Sequence, residues 1–182
     1  MSLEIERKFI MEGFPEDLKC LREVTIEQGY VSVKPEVRIH TATDQHTGVT
    51  NYRLTMKGEG DLTRTEIKTS IDGDFYREAV ELLGVPMIQK DYRSYELPET
   101  MDDKSYGRQV IGSNSKTSSH ALILEVCLVD PGTEHEFYYG EIEFETEEDA
   151  MHFTGIPCLG KEVTNDPAYK MKNYWIKTRL QK

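Results

Sequence analysis

Charged and apolar side chains alternate over the first ten residues of the chain, MSLEIERKFI. Glu4, Glu6 and Lys8 fall on one face of an extended strand and Ile5 and Phe9 on the other, because successive side chains of a strand point to opposite sides. Two carboxylates on one face can bind a hard cation such as Mg²⁺, and an ammonium group beside them can bind an oxyanion. The alternative is an ordinary strand whose polar face lies in solvent.

The same alternation recurs on four further segments. Their charged or polar stripes are Glu36, Arg38 and His40; Arg53, Thr55 and Lys57; Arg64, Glu66 and Lys68; and Glu141, Glu143 and Glu145. A sheet with one solvated face explains any one of these stripes, since cross-strand ion pairs on such a surface are common and stabilise it little. A sheet with one solvated face explains five such stripes poorly, because the few predicted helices cannot bury the opposite, apolar face of the sheet. A closed barrel with a polar interior and helices packed outside uses both faces.

The pattern predicts about eight strands, over residues 2–11, 25–34, 36–43, 49–58, 62–72, 86–97, 121–130 and 136–146. Turn signals separate many of them, and Lys57-Gly58-Glu59-Gly60-Asp61 is typical of a hairpin. Strands joined by short turns favour an antiparallel sheet that curls or closes. The predicted fold class is α+β, mainly β, with an eight-stranded antiparallel barrel in a single domain over 1–182.

Four short helices are predicted. They run from Pro15 to Cys20, from a cap at Asp74 through Leu83 to Gly84, over TEEDAMHF from a cap at Thr146, and from Asp166 and Pro167 to the C-terminus. Residues 99–120 are polar and without periodicity, and they are predicted to form a long loop within the domain.

Composition narrows the class of protein. The 182 residues have a formal net charge of −11, which argues against broad nucleic-acid binding. No apolar run is long enough for a membrane span and no secretory signal is visible. Cys20, Cys127 and Cys158 are an odd, scattered set, which indicates reduced thiols in a cytoplasmic protein. Whether the chain is a monomer or a homodimer is left open.

Several motifs follow one another in the order found in a known superfamily. They are EIERKF at the amino terminus, QGYVS (28–32), VRI (37–39), LTMKGEG (54–60), TRTEI (63–67), IQKDYR (88–93), GEIEF (140–144) and GKEVTND (160–166). In these motifs and in their order, the chain resembles the CYTH, or triphosphate tunnel metalloenzyme, superfamily. It resembles in particular the short bacterial inorganic tripolyphosphatases. The match covers nearly the whole chain except about 99–120.

The resemblance implies an eight-stranded barrel that forms a tunnel and binds a triphosphate with Mg²⁺ or Mn²⁺. Members act on inorganic tripolyphosphate, nucleoside or thiamine triphosphates, or RNA 5′ ends, and some class IV adenylate cyclases belong to it. The expected partner is therefore a small molecule with a triphosphate group, and neither nucleic acid nor membrane.

The resemblance also implies roles for individual residues. The expected metal ligands are Glu4, Glu6, Glu141 and Glu143, of which Glu4, Glu6 and Glu143 should converge on one cation. The expected phosphate-binding residues are Lys8, Arg38, Arg53, Lys57, Arg64, Arg93 and Lys161. Tyr30 and Lys90 match the tyrosine and lysine pair that orients or deprotonates water, although Tyr30 has the alternative role of a core aromatic residue.

The chain departs from the family pattern at several positions. Lys90-Asp91-Tyr92-Arg93 replaces Lys-x-Arg, so Arg93 is out of phase with Lys90 and either a bulge returns it to the tunnel or it faces solvent. His40 stands where an arginine is common, Lys68 where an acid is common, and Met171 where an asparagine is usual. Near Glu125 only the glutamate of the usual Trp-Glu-x-Asp is kept. These departures leave the choice of substrate open.

Three functions fit these residues. The first is a metal-dependent triphosphatase. The second is a class IV adenylate cyclase, which is disfavoured because only Met-Ser-Leu precedes Glu4, where cyclases have His-Phe. The third is a non-catalytic polyphosphate or nucleotide sensor, which gains little from so many carboxylates. No P-loop motif is present, so side chains would hold the phosphates.

Overall fold

The computed structural model describes residues 2–98, 100–103, 108–111 and 121–181. Its strands in chain order are β1 (Ser2–Met11), β2 (Cys20–Val33), β3 (Glu36–Asp44), β4 (Thr50–Lys57), β5 (Thr63–Ser70), β6 (Ile88–Glu96), β7 (Thr100–Asp103), β8 (Arg108–Ile111), β9 (Ile123–Val129) and β10 (Phe137–Glu143). All eight predicted strands are present, with ends that differ from the prediction by a few residues.

Eight of these strands form a closed barrel in the order β1-β10-β9-β6-β2-β3-β4-β5, and β5 pairs back onto β1. Every neighbouring pair is antiparallel. The predicted eight-stranded antiparallel barrel is confirmed. β7 and β8 form a separate two-stranded sheet inside the predicted loop over 99–120; the rest of that segment lies outside the described residues.

The helices follow their capping residues. Helix α1 (Gly73–Leu83) is capped by Asp72, two residues before the predicted cap at Asp74, because the side chain of Asp72 accepts a hydrogen bond from the backbone N–H of Phe75. Gly84 ends α1 in the left-handed conformation, as predicted. Thr146 caps α2 (Glu147–His152), also as predicted.

The other two helix predictions need correction. The segment at 15–20 forms no helix, since β2 begins at Cys20, which pairs with Tyr95 of β6. The C-terminal helix is divided into a 3₁₀ turn (Pro167–Tyr169), α3 (Met171–Trp175) and a π-helical turn (Ile176–Leu180). Among the described residues, no helix has the length and apolar character needed to cross a membrane.

One apolar cluster covers the outside of the barrel beneath α2. Outward-facing side chains of β1, β6, β9 and β10 pack there against the α2 region, and the buried members include Ile5, Phe9, Tyr95, Leu124, Ile142 and Phe153. Burial of this outer face allows the opposite face of the same strands to be polar, since a strand with one buried apolar face alternates in this way.

A second apolar cluster joins α1 and the outward-facing Ile39 of β3 to apolar side chains at one end of the barrel interior. Ile88 and Tyr139, which alternate in phase with lumen-facing Lys90 and Glu141, pack there with Met171 and Trp175 of α3. The C-terminal segment thus closes this end of the barrel, whereas the sequence predicted that all helices pack outside. The remaining lumen is polar.

Asp130 anchors the C-terminal segment to the barrel. Its carboxylate is buried and accepts hydrogen bonds from Tyr174 Oη at 2.5 Å, from Arg179 Nη2 at 2.6 Å and from the backbone N–H of Gln89 at 3.0 Å. Because Arg179 is also largely buried, loss of its partner would leave an uncompensated charge.

We expect Asp130→Asn to lower the free energy of unfolding by about 3 kcal/mol, because it removes one partner of a buried ion pair. Asparagine tolerates the left-handed backbone of this position, where φ is 44°. Urea denaturation measures the effect, and Asp91→Asn, the same change at an exposed β6 position, is the control. Equal stability of the two variants would contradict the anchoring role.

Candidate active site

The polar part of the lumen is a cavity of about 170 Å³ into which charged side chains from several strands project. Eight of the predicted site residues line it: Glu4, Glu6, Lys8, Arg38, Lys57, Arg64, Glu141 and Glu143. The alternation that begins at Glu4 therefore points into an enclosed space and not into bulk solvent.

Carboxylates gather on the wall formed by β1 and β10. Glu6 lies directly opposite Glu143, and Lys8 lies opposite Glu141, in the antiparallel register of these two strands. Opposed side chains in such a pair have Cβ atoms roughly 5 Å apart. The strand register thus places two carboxylates side by side at the cavity wall.

Cations neutralise most of this wall. Lys57 Nζ donates to both oxygens of Glu4, at 2.9 and 2.7 Å. Arg64 donates from Nε to Glu4 at 2.8 Å and from Nη2 to Glu6. Lys8 Nζ donates to Glu141 at 2.9 Å. Because buried charges are costly unless paired, these contacts make the charged cavity compatible with a folded barrel.

The carboxylates differ in how firmly they hold a proton. Burial raises the pKa of Glu4, but Lys57 and Arg64 outweigh that effect and leave it below its usual value. Burial likewise opposes the cations at Glu141, where Lys8 and Lys57 lower the pKa to about 2. At Glu6, burial and the neighbouring Glu141 raise the pKa to about 7. Glu6 is therefore a wall carboxylate whose charged form a bound cation would stabilise.

The carboxylate wall suits a cation that needs few protein ligands. Within the described residues, no three Asp, Glu, His or Cys side chains are close enough to hold a metal together, so the expected convergence of Glu4, Glu6 and Glu143 is not found. Glu4 is instead held by Lys57 and Arg64. Mg²⁺ commonly uses one or two carboxylates and completes its shell with water and substrate phosphate, which the facing pair Glu6 and Glu143 can provide.

Lys90 lies deeper in the lumen, next to the apolar end. It is buried, and its Nζ donates to Gln28 Oε1 at 3.1 Å and to Tyr139 Oη at 2.9 Å. Burial lowers the pKa of Lys90 to about 8, with a smaller contribution from Arg38 in the same direction. At pH 7 about a tenth of Lys90 is then in the uncharged form that a general base requires.

Tyr30 is also in the lumen but not at the cavity wall. Its hydroxyl accepts a hydrogen bond from Gln28 Nε2 at 3.1 Å, and its ring packs on Trp175 with 6.0 Å between ring centroids. Burial raises the pKa of the Tyr30 hydroxyl. Its surroundings are those of the core aromatic residue that the sequence left as an alternative.

Three predicted phosphate ligands lie away from this cavity. Arg93 is on the outer face of β6, where it pairs with Glu23 at 3.5 Å and its guanidinium carbon lies 4.3 Å from the ring centroid of Phe14. The register shift near Arg93 lies on β2, between Cys20 and Arg22, and not on β6, so it does not turn Arg93 inward. Arg53 and Lys161 are exposed, on β4 and on the loop after α2 respectively.

The structure also brings residues to the cavity that the sequence prediction did not include. They include Glu36, Lys68, Glu125, Tyr139, Lys170 and Lys172. The alternation could have identified Tyr139, because it lies two residues before Glu141 on the same face. Lys170 follows the 3₁₀ turn and Lys172 is in α3, outside any strand alternation, so only their tertiary packing places them here.

A closed antiparallel barrel whose lumen combines a carboxylate wall with buried lysines and arginines defines a class of β-barrels with a charged interior. No family model matches the chain. A curated protein from Nitrosomonas europaea, described as an inorganic triphosphatase, is 30% identical over 169 residues, which are 93% of this chain and 94% of that protein. This chain belongs to the inorganic triphosphatase family, as its motifs indicated.

Solved structures agree with this assignment. The crystal structure of the inorganic triphosphatase NE1496 superposes with a TM-score of 0.56 and 25% identity, over 96% of this chain and 95% of that one. A protein from Pyrococcus horikoshii shares the fold, with a TM-score of 0.50 and 21% identity over 79% of this chain and 78% of that one.

We expect Glu6→Gln to stabilise the metal-free protein at pH 8 by about 1–3 kcal/mol. The folded-state pKa of Glu6, about 7, exceeds the ordinary value of 4.5, so the folded state favours its protonated form. That favourable contribution is complete below about pH 4.5, the ordinary value, and is lost as the pH rises through 7.

The gain from Glu6→Gln should therefore shrink as the pH falls from 8 to 5 in urea denaturation with a chelator present. Glu12→Gln, at an exposed position of the segment after β1, is the control and should change little. A Glu6→Gln protein that is less stable than the parent at pH 8 would show that ionised Glu6 stabilises the barrel.

Proposed function

We propose that this protein hydrolyses a triphosphate, with inorganic tripolyphosphate as the first candidate and nucleoside or other organic triphosphates as further candidates. The observation that supports this most is a single enclosed cavity in which a carboxylate wall faces buried lysines and arginines. The related curated protein is described as an inorganic triphosphatase, and the same substrate class suits this cavity.

The cations of the cavity suit a linear chain of phosphates. Lys8, Lys57 and Arg64 are bound to carboxylates, and each can transfer hydrogen bonds to phosphate oxygens when a substrate enters. Arg38 lines the cavity, lies 4.0 Å from Glu66, and its buried Nε has no hydrogen-bond partner among the described residues. A bidentate contact to phosphate would satisfy that group.

A divalent cation fits between this anionic substrate and the anionic wall. Glu6 and Glu143 are the residues that would hold it, because they face each other on adjacent strands and both line the cavity. When bound, Mg²⁺ or Mn²⁺ supplies neutralisation of the phosphoryl charge that develops during cleavage. Without it, Glu6 and Glu143 would repel the substrate.

Lys90 is the residue that can take a proton from the attacking water. Its pKa of about 8 leaves the amine in equilibrium with the ammonium form near neutral pH, and its hydrogen bonds to Gln28 and Tyr139 hold Nζ in one place. An ordinary exposed lysine, with a pKa near 10.4, would be almost fully protonated.

An assay of released phosphate and of cyclic AMP tests the proposed function. Tripolyphosphate, ATP and thiamine triphosphate are each supplied with Mg²⁺, with Mn²⁺ and with a chelator. We expect phosphate release that requires a divalent cation. Cyclic AMP from ATP would show a cyclase instead, and tight binding without turnover would show a sensor.

Lys90→Ala should lower kcat about 100-fold or more, which is the range of a lost general base, while the substrate remains bound. In the parent protein the rate should rise as the pH increases through about 8, since only uncharged Lys90 accepts a proton. Steady-state kinetics from pH 6 to 10 and calorimetric binding measure both effects.

Lys170→Ala is the matched control, because this lysine contacts Asp61 and the carbonyl oxygen of Gly60 at the cavity rim. It should affect KM more than kcat and keep the rise with pH. Near-normal kcat in Lys90→Ala would exclude Lys90 as the base.

A further inference from the structure

Lys90 meets the cavity through another side chain. Tyr139 lines the cavity, whereas Lys90 does not, and Lys90 Nζ lies 2.9 Å from Tyr139 Oη. Tyr139 therefore connects Lys90 to the cavity, and its hydroxyl offers a path for a proton from a water in the cavity to Lys90. The same distance of 2.9 Å also allows the reverse hydrogen bond, in which the Tyr139 hydroxyl donates to an uncharged Lys90 amine.

Tyr30, the tyrosine that the sequence motif indicates, occupies a different position. The Gln28 amide separates it from Lys90, because Oε1 accepts from Lys90 at 3.1 Å and Nε2 donates to Tyr30 at 3.1 Å. An amide is neither a useful acid nor a useful base near neutral pH. Tyr30 thus orients Gln28, and Gln28 in turn orients Lys90.

Two contacts hold the Tyr139 ring in place. Lys8 Nζ lies 3.8 Å from the ring centroid, within cation–π range, and the ring of Phe137 is 6.0 Å away between centroids. Tyr139 is buried at 3% exposure although it forms part of the cavity wall. Its hydroxyl is thus held against Lys90, while the residue borders the space that the substrate would occupy.

We propose that Tyr139, and not Tyr30, is the catalytic tyrosine that works with Lys90 in the hydrolysis proposed above. The attacking water transfers a proton to Tyr139 Oη while the phenolic proton of Tyr139 moves to the lone pair of Lys90 Nζ. The water oxygen bonds to the terminal phosphorus, and the bond between phosphorus and the bridging oxygen breaks. The bridging oxygen leaves with the electron pair, and Lys90 becomes an ammonium ion that is deprotonated by solvent after product release.

The test compares three variants that each lose one phenolic hydroxyl: Tyr139→Phe, Tyr30→Phe and Tyr138→Phe. Tyr138 is adjacent in sequence but faces outward, where its ring packs edge-on against Phe14, so Tyr138→Phe should leave activity unchanged. Tyr139→Phe should lower kcat about 100-fold with KM within about threefold of the parent value. Tyr30→Phe should lower kcat much less.

The pH profile separates a proton path from a structural role. Tyr139→Phe keeps Lys90 but interrupts its path to the cavity, so the rise in rate through about pH 8 expected for Lys90 should disappear. If Tyr139→Phe does not fold, Tyr139→Met fills the same space without a hydroxyl and is held to the same criteria.

Three results would overturn this inference. They are more than half of the parent kcat in Tyr139→Phe, a loss no greater than that of Tyr30→Phe, and a pH profile that keeps its rise. They differ from failure of the proposed function itself, in which the parent protein releases no phosphate from any triphosphate.

Discussion

The pairing of buried charges between neighbouring strands is the constraint on which the rest of this structure depends. Lys57 Nζ lies 2.7 Å from Glu4 and 3.3 Å from Glu66, and Arg64 contacts Glu4 from the other side. Because an unpaired buried charge costs several kcal/mol, each lumen carboxylate needs a cation within reach. The strand register meets this need, since Glu4 lies opposite Arg64 and Lys57 lies opposite Glu66.

The same constraint explains why the barrel closes in a single register. A slip of one residue in any strand would exchange its two faces and place Ile5 and Phe9 in the charged lumen. It would also expose Glu4 and Glu6 to the apolar cluster beneath α2, where nothing could neutralise them. Hydrophobic burial outside and charge pairing inside therefore favour the same arrangement of strands.

The lumen is polarised along its length, and this difference gives its parts different chemistry. At one end Lys90 is buried against Gln28 and Tyr139, and this burial lowers its pKa. At the other end Glu6 and Glu143 face each other at the cavity wall. A facing pair of carboxylates and a lysine of lowered pKa thus lie in one barrel, which accords with membership of the inorganic triphosphatase family.

The sequence by itself determined the strands, the caps at Thr146 and Gly84, and which side chains of each strand share a face. These are local properties, since a period of two and a capping residue depend only on neighbours in the chain. Eight of the residues that the sequence predicted for the site line the cavity, because all of them follow that alternation.

Only the tertiary structure decided how deep each side chain lies and which strands meet. Alternation could not show that Gln28 separates Tyr30 from Lys90, or that Tyr139 on β10 contacts Lys90 on β6. Alternation also allowed a bulge in β6 that would turn Arg93 into the lumen, but β6 forms no such bulge. These outcomes depend on the register and closure of strands far apart in sequence, where pairing partners are chosen by the barrel as a whole and not by any one segment.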